Sequence, residues 1–195
     1  MKEKLTLRNI ILWSGALFGL VAFFISFAAK LSLIQAGEQG FYNNIIWGCD
    51  SLTVHGVTEP VSKFEGMSGV KHLDPAVVPL VGIILILVGA IAAVVVSLFL
   101  NKPWTKWVVV GCAAVVLAGS IMQFFAFDGF VRGYVSTIAK LEGVTDKAKI
   151  EQVVQQVKAQ FSNYSPKTTV STIMGILGIV GALAVGASQF LPEKK

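Results

Sequence analysis

The chain has 195 residues, of which 54% are hydrophobic and 14% charged, and its mean hydropathy is +0.72. An ordinary soluble domain carries about a quarter charged residues, so the composition argues against a soluble protein. The net charge of +5 comes from basic residues that flank the apolar runs and are scattered through the loops, which argues against a role with nucleic acid.

Four uncharged apolar runs are each long enough to cross a bilayer, since roughly 20 helical residues span about 30 Å. The runs cover residues 10–29, 76–100, 107–127 and 168–190. The second run is apolar on every face, whereas a buried helix of a soluble protein shows an apolar stripe. The sequence predicts an all-α integral membrane protein, a four-transmembrane-helix bundle with a small extracytoplasmic α+β region formed by two loops.

The first run follows a short basic tail, residues 1–9, and two interpretations are open. A cleaved signal peptide is one, because Ser26, Phe27 and Ala28 resemble a small-x-small cleavage site. The core of a signal peptide is typically about 7–15 residues long, and this run has about twenty without a break. The length therefore favours an uncleaved transmembrane anchor.

Residues 30–75 form the first predicted extracytoplasmic loop. Aromatic and β-branched residues at 41–47 and 51–54, punctuated by glycines, predict short strands or a small sheet. Residues 60–69 then have the composition of an irregular loop that returns to the membrane.

The first loop also contains scattered side chains of the types that bind metals. They are Cys49, Asp50, His55, Glu59, His72 and Asp74. Their spacing matches no recognised metal-binding pattern, so neither a metal site nor a cofactor is expected. Cys112 lies within the third run, too far away for a disulfide with Cys49, which leaves Cys49 as a buried thiol or an intermolecular bridge.

Residues 101–106 form a turn so short that the second and third spans must be antiparallel neighbours. Trp104 and Trp107 on one side of the membrane have the character of interface anchors. An aromatic belt is expected at the opposite boundary, from Phe124, Phe125, Phe127, Phe130 and Tyr134.

Residues 128–167 form the second predicted extracytoplasmic loop and contain an amphipathic helix with Thr145 or Asp146 as its cap. Its apolar face has three possible covers: the sheet of the first loop, the bilayer surface or a partner protein. The apolar residues are Ile150, Val153, Val154, Val157 and Phe161. Four residues of this helix are candidate partner contacts, namely Lys147, Ile150, Val154 and Lys158.

Small residues recur at four-residue spacing in every span, which allows helix backbones to approach closely in lipid. These rows serve either to close the bundle or to leave one face for a partner subunit. The fourth span, with Gly178, Ala182 and Gly186, is the favoured candidate for the second role.

The four runs contain no Asp, Glu, Lys, Arg or His, the residues that usually mark ion and proton pathways. The only candidate polar seam consists of Ser120, Gln123, Ser171 and Thr172. Such a seam would suit a small-solute or ion transport component formed by oligomerisation, which is the alternative functional hypothesis.

Basic residues concentrate in the two tails and in the middle turn, which share one side of a four-span protein. They are Lys2, Lys4, Arg8, Lys102, Lys106, Lys194 and Lys195. Basic residues are retained on the cytoplasmic side, so the pattern predicts a multi-pass protein of the cell membrane with cytoplasmic N- and C-termini, residues 191–195 forming the latter.

The predicted topology resembles that of claudins and other tetraspan proteins, with Trp47 close to Cys49 in a larger first loop. The second cysteine of the claudin motif is absent, so the resemblance carries over no functional residue. No nucleophile elbow, zinc-protease motif or phosphate-binding loop is present, which favours a non-enzymatic function. The leading hypothesis is an accessory or scaffold subunit of a membrane complex, with the lipid bilayer and either a membrane protein partner or further copies of itself as its contacts.

Overall fold

The computed structural model describes residues 6–35, 38–64, 67–99 and 103–191. The described helices are α1 (Leu7–Ile25), α2 (Val77–Phe99), α3 (Thr105–Met122), α4 (Ala126–Leu141), α5 (Lys147–Ser162) and α6 (Thr169–Ser188). The described strands are β1 (Lys30–Gln35), β2 (Glu38–Asn43), β3 (Ser51–Val54) and β4 (Val57–Pro60). Short 3-10 turns cover Ser26–Ala28, Val61–Lys63 and Gln123–Phe125.

The chain divides into two compact units. The helical unit comprises Met1–Ile25, Val81–Gln123 and Ile173–Lys195, and the sheet unit comprises Ser26–Leu80 and Phe124–Thr172. Four helical stretches are long and apolar enough to cross a membrane, and each overlaps a predicted span. The third, Thr105–Leu141, runs beyond the predicted span at 107–127. The prediction of four such helices together with a small sheet is therefore confirmed.

Glycines bring the helices of the helical unit into direct contact. A Cβ added to Gly181 of α6 would lie 2.6 Å from the carbonyl oxygen of Gly15 of α1, and one added to Gly82 of α2 would lie 2.6 Å from the carbonyl oxygen of Gly119 of α3. Since backbone blocks both positions, only glycine permits this separation.

The remaining helix pairs of the unit also meet at small residues. A Cβ added to Gly19 of α1 would lie 3.0 Å from the Cβ of Ala90 of α2, and one added to Gly178 of α6 would overlap the Ser120 hydroxyl of α3. Each of the four helices therefore packs against two neighbours, α1 and α3 each contacting both α2 and α6.

The interior of the helical unit is mostly apolar, although Thr105, Ser120, Gln123, Ser188 and Gln189 are also buried there. Its buried residues include Leu12, Ala16, Ile83, Ile86, Ala90, Val109, Val116, Met174 and Val185. Within the described part of this unit no charged side chain is buried. Many large apolar side chains of these helices are exposed, which is the surface expected of helices in contact with lipid, and the charged Lys106 is exposed near the start of α3.

The four strands of the sheet unit form an antiparallel sheet in the order β1-β2-β3-β4. His55 and Gly56 both have positive φ, 53° and 76°, and connect β3 to β4 in a tight turn. The predicted strand at 41–47 is shorter than expected, because β2 ends at Asn43 and Asn44 takes a left-handed conformation with φ 54°. β1 was not predicted, although Leu31 and Leu33 alternate with polar residues as strands require.

The second loop of the sequence contains two helices rather than one. The sequence places Phe130 and Tyr134 of α4 in an aromatic belt at the membrane boundary. In the structure Phe130 is buried within the sheet unit together with Val131 and Val135. These three residues have the spacing of one face of a helix, and this spacing is the sequence signal for a buried helix. The many aromatic residues of the segment favour the interpretation as an interface belt instead.

α5 is the amphipathic helix that the sequence predicts, with Asp146 as its N-cap: one carboxylate oxygen accepts from the backbone N–H of Ala148 at 2.9 Å. Near its C-terminal end, Phe161 packs with Tyr42 of β2 and Phe130 of α4, at ring-centroid distances of 6.2 and 6.0 Å. The apolar face of α5 is thus covered at this end by the sheet and by α4.

Candidate functional site

The sheet unit contains an apolar cavity of about 190 Å³ between α4 and α5. It is lined by Tyr134, Val135, Ile138, Ala139, Glu142, Val144, Lys149, Ile150, Val153 and Val157. The side chain of Val153 is 42% exposed, and Glu142 and Lys149 are exposed too, so the cavity opens to solvent. An apolar, solvent-open cavity with a few polar groups has the general character of a ligand site.

The turn that joins α4 to α5 fixes one end of the cavity. Gly143 has φ 69°, a left-handed conformation that glycine adopts readily after a helix. The backbone N–H of Val144 then donates to the carbonyl oxygen of Ala139 at 2.9 Å. This closes the end of α4 and places Val144 in the cavity wall.

An ionic network ties α5 to α4 beside the cavity. The guanidinium of Arg132 donates two hydrogen bonds to the Glu151 carboxylate, at 2.8 and 3.0 Å, and a third to Asp128 at 3.1 Å. Lys158 donates to the other oxygen of Asp128 at 2.5 Å. The Lys158 hydrogen bond, with help from Arg132, holds the pKa of Asp128 below its ordinary value. Exposed ion pairs stabilise weakly, so the network mainly sets the position of α5.

A second cavity, of about 370 Å³, lies on the other side of Tyr134 and Val157. Its lining is more polar, because Gln160, Asn163 and Tyr164 contribute to it. Burial raises the pKa of the Tyr134 phenol, which therefore stays neutral at the boundary between the two cavities. Tyr134 of α4 and Val157 of α5 line both cavities, so the contact between the two helices at this point has a cavity on each side.

The four candidate contacts on the amphipathic helix fall in different environments. Lys147 is exposed at the first position of α5, and Ile150 lines the apolar cavity. Val154 is 1% exposed, whereas Lys158 is bound to Asp128 and its side chain stays 39% exposed. Val154 therefore packs in the core and Lys158 belongs to the ionic network. Their contact with a partner stays a prediction.

The small-residue row of the fourth span lies within the helical unit. Gly178 packs against Ser120, Ala182 is buried, and Gly186 has Ala113 of α3 as its nearest neighbour. These residues therefore make contacts among the helices of this unit. That the row also meets a partner subunit stays a prediction.

The four residues of the candidate polar seam are divided between the two units. Ser120 of the helical unit donates to the Val116 carbonyl oxygen at 2.6 Å, and Gln123 lies in the 3-10 turn after α3. In the sheet unit, Ser171 is buried and Thr172 donates to the Thr168 carbonyl oxygen at 3.2 Å. Two of the hydroxyls are thus satisfied by their own helices.

Among the described residues, no group of three or more His, Cys, Asp or Glu side chains is close enough together to hold a metal ion. Asp74 instead pairs with Lys140 at 2.5 Å, and Glu59 with Lys63 at 3.5 Å. Cys49 is 1% exposed and its thiol donates to the Ser51 carbonyl oxygen, which makes it a buried thiol rather than an intermolecular bridge.

The sequence does not identify three of the cavity-lining residues as part of a site. Tyr134 was assigned to an aromatic belt, whereas Glu142 and Lys149 belong to a loop and a polar helix face. The helical spacing of Val131, Val135 and Ile138 was the available signal for α4, and hence for a wall opposite α5. Comparison with protein families, curated proteins and solved structures finds no match to this chain.

Proposed function

We propose that this chain is an integral protein of the cell membrane that acts as a non-enzymatic accessory or scaffold subunit of a membrane complex. The four apolar helices would cross the bilayer, and the sheet unit would project from the extracytoplasmic face as the part that binds the partner. Both termini would lie in the cytoplasm, as the basic tails predict.

One observation carries this proposal: the interior of the helical unit consists mostly of apolar side chains and small residues, while the sheet unit has its own core and a solvent-open cavity. A solute pathway needs polar groups at depth, and the buried Ser120 hydroxyl already donates within its own helix. The architecture of the described residues thus favours recognition by the sheet unit over passage through the helices.

The first test is the composition of the particle purified from native membranes in a mild detergent. A stoichiometric second polypeptide in native mass spectrometry is the expected result. A monomer alone would overturn the subunit role, and a defined ring of identical chains would favour the pore instead.

A pair of charge-reversal variants locates the contact. Lys147→Glu alters an exposed residue of α5, and Lys167→Glu alters an exposed residue at the other end of the second loop. We expect Lys147→Glu to lower recovery of the second polypeptide and Lys167→Glu to leave it unchanged. Equal recovery with both variants would show that the contact lies elsewhere.

The proposed orientation is tested separately, with green fluorescent protein or alkaline phosphatase fused to the C-terminus in a bacterial host. The fluorescent fusion should be bright and the phosphatase fusion inactive if the terminus is cytoplasmic. The reverse pattern would place the sheet unit in the cytoplasm and exclude an extracytoplasmic platform.

A further inference from the structure

We propose that the apolar cavity between α4 and α5 binds a small zwitterion with a compact apolar body, of which a free amino acid with an aromatic or branched aliphatic side chain is the simplest example. The cavity belongs to the sheet unit alone. The inference therefore does not depend on the partner role proposed above, and either can fail without the other.

The size of the cavity matches such an apolar body. An engineered apolar cavity of about 150 Å³ in another protein stays dry and binds benzene. The cavity here has a volume of about 190 Å³ and aliphatic walls, with Val135 and Ile138 on α4 and Ile150 and Val153 on α5. A phenyl or isobutyl group fits this space, whereas a long acyl chain exceeds it.

Two charged side chains of opposite sign line the cavity, one from each wall. Glu142 follows the last residue of α4, and Lys149 lies in the first turn of α5. Within the described part of the chain neither side chain has an ion-pair partner. Other charged groups nearby are engaged: Lys140 pairs with Asp74, and Glu151 with Arg132.

This pair of charges selects the polar part of the ligand. A carboxylate beside Lys149 and an ammonium beside Glu142 would satisfy both side chains at once. A fatty acid would bring its only charge near Glu142 as well as Lys149, and a simple amine would meet the repulsion of Lys149. Charge complementarity therefore favours a zwitterion over either singly charged amphiphile.

The cavity is held open before any ligand binds. α5 is fixed at its start by the turn at Gly143 and in its second turn by the bond from Arg132 to Glu151. Towards its end it is fixed by the aromatic cluster of Phe161, Tyr42 and Phe130. These contacts hold the two walls apart on both sides of the cavity. A largely pre-formed site is typical of small-molecule binding.

The test uses the full-length protein in nanodiscs and isothermal titration calorimetry, with empty nanodiscs as the blank. The probes share one ring and differ in charge: L-phenylalanine, 3-phenylpropionate, 2-phenylethylamine and toluene. L-Phenylalanine should bind at least about tenfold more tightly than each of the other three. Equal affinities for all four, or binding of toluene alone, would overturn the zwitterion specificity.

Two variants test separately the contributions of the two charged residues that line the cavity. Lys149→Met should lower the affinity for L-phenylalanine about tenfold, while the affinity for 2-phenylethylamine stays the same or increases. Glu142→Gln should lower the affinity for L-phenylalanine by a similar factor, while the affinity for 3-phenylpropionate stays the same or increases. Lys147→Met, which removes an exposed charge outside the cavity, serves as the matched control and should change nothing.

Filling the cavity tests its location. Ile138→Trp should abolish binding of L-phenylalanine, and Val153→Trp, at the partly exposed rim, gives the same test if the first variant does not fold. Retained binding in a folded filled variant would overturn the assignment. Absence of binding by any probe, with the second polypeptide lost from the Val153→Trp complex, would instead show that a partner side chain occupies the cavity.

Discussion

The helical unit and the sheet unit of this chain are held together by different kinds of residues. In the helical unit, glycine and alanine lie at the helix contacts, as at Gly15 and Gly181, where backbone approaches backbone. In the sheet unit the contacts are made by large rings such as Tyr42, Phe130 and Phe161 and by ion pairs between α4 and α5.

The difference reflects the solvent proposed for each unit. In lipid, an apolar side chain gains nothing by leaving the bilayer, so helices associate through close packing at small residues. In water, burying an aromatic ring is strongly favourable, and charged groups can remain hydrated at the surface. Substitutions should therefore have opposite consequences in the two units: loss of bulk harms the sheet unit, and gain of bulk harms the helical unit.

The largest effect is expected from Phe130→Ala. Phe130 is 1% exposed and its ring packs against Tyr42 at 4.9 Å, so the change leaves a large cavity. We expect the unfolding free energy of the sheet unit to fall by about 3–5 kcal/mol. The measurement is denaturant unfolding followed by Trp47 fluorescence, in a chain whose other three tryptophans are replaced by phenylalanine.

Phe125→Ala is the matched control, because Phe125 belongs to the same unit and is 53% exposed. Its loss should change the unfolding free energy by far less. Similar destabilisation by the two variants would mean that the aromatic cluster is not the core of the sheet unit.

Gly181→Ala should have the next largest effect, although it adds only one methyl group. The new Cβ would meet the Gly15 carbonyl oxygen at 2.6 Å, and a backbone atom cannot rotate away. We expect a loss of about 1–3 kcal/mol, measured as a lower thermal transition of the helical circular dichroism signal in detergent. In contrast, Gly111→Ala should leave the transition unchanged or raise it, since nothing lies within 4 Å of a Cβ there.

A smaller effect is expected from the ionic network, and it depends on pH. The pKa of Asp128 is lowered in the folded state, first by the Lys158 hydrogen bond and then by Arg132. Its contribution to stability is therefore present above the unfolded pKa, near 4, and is lost as pH falls through the folded pKa. Stability of the sheet unit should decline as pH is lowered from about 5 to 3.

Lys158→Met removes the main cause of this shift and should make the acid-dependent decline shallower. At neutral pH the variant should lose no more than about 1 kcal/mol, because the side chains of Lys158 and Asp128 are 39% and 31% exposed. Lys147→Met removes the same charge without touching Asp128. The stability of Lys147→Met should depend on pH as that of the unmodified protein does. If both variants instead showed the same shallower decline, the cause would be the change in net charge.

The last prediction concerns the reactivity of the Cys49 thiol and not stability. Burial raises the pKa of this thiol to about 11, so little thiolate exists at pH 8. In a Cys112→Ala background, labelling of Cys49 by a disulfide reagent should be at least about 100-fold slower in the folded protein than in denaturant. Rapid labelling of the folded chain would place Cys49 at the surface.

Local features were predictable where one residue type or one run of residues decides the structure. Four helices were predictable because about 20 consecutive apolar residues have few other stable arrangements. The start of α5 was predictable because the Asp146 carboxylate can accept the hydrogen bond of a helix N-terminus. A sheet in the first loop was predictable from the β-branched and aromatic residues around Phe41 and Leu52.

The cavity and the uses of individual side chains were not predictable in this way. Lys158 and Lys147 look alike in sequence, but only Lys158 meets Asp128, thirty residues away in the chain. Gly178 and Gly111 look alike in the same sense, yet one packs against Ser120 and the other faces open space. These outcomes depend on which helices become neighbours.

The sequence by itself therefore determined the number of apolar helices, the presence of strands between the first two and the cap of α5, because hydrophobicity, length and capping chemistry act over a few turns of chain. The tertiary structure decided that α4 forms a second wall beside α5, that Glu142 and Lys149 line one cavity, and that the glycines of α6 face α1 and α3. Such contacts join distant parts of the chain, and their free energy depends on shape and distance, which residue type alone does not specify.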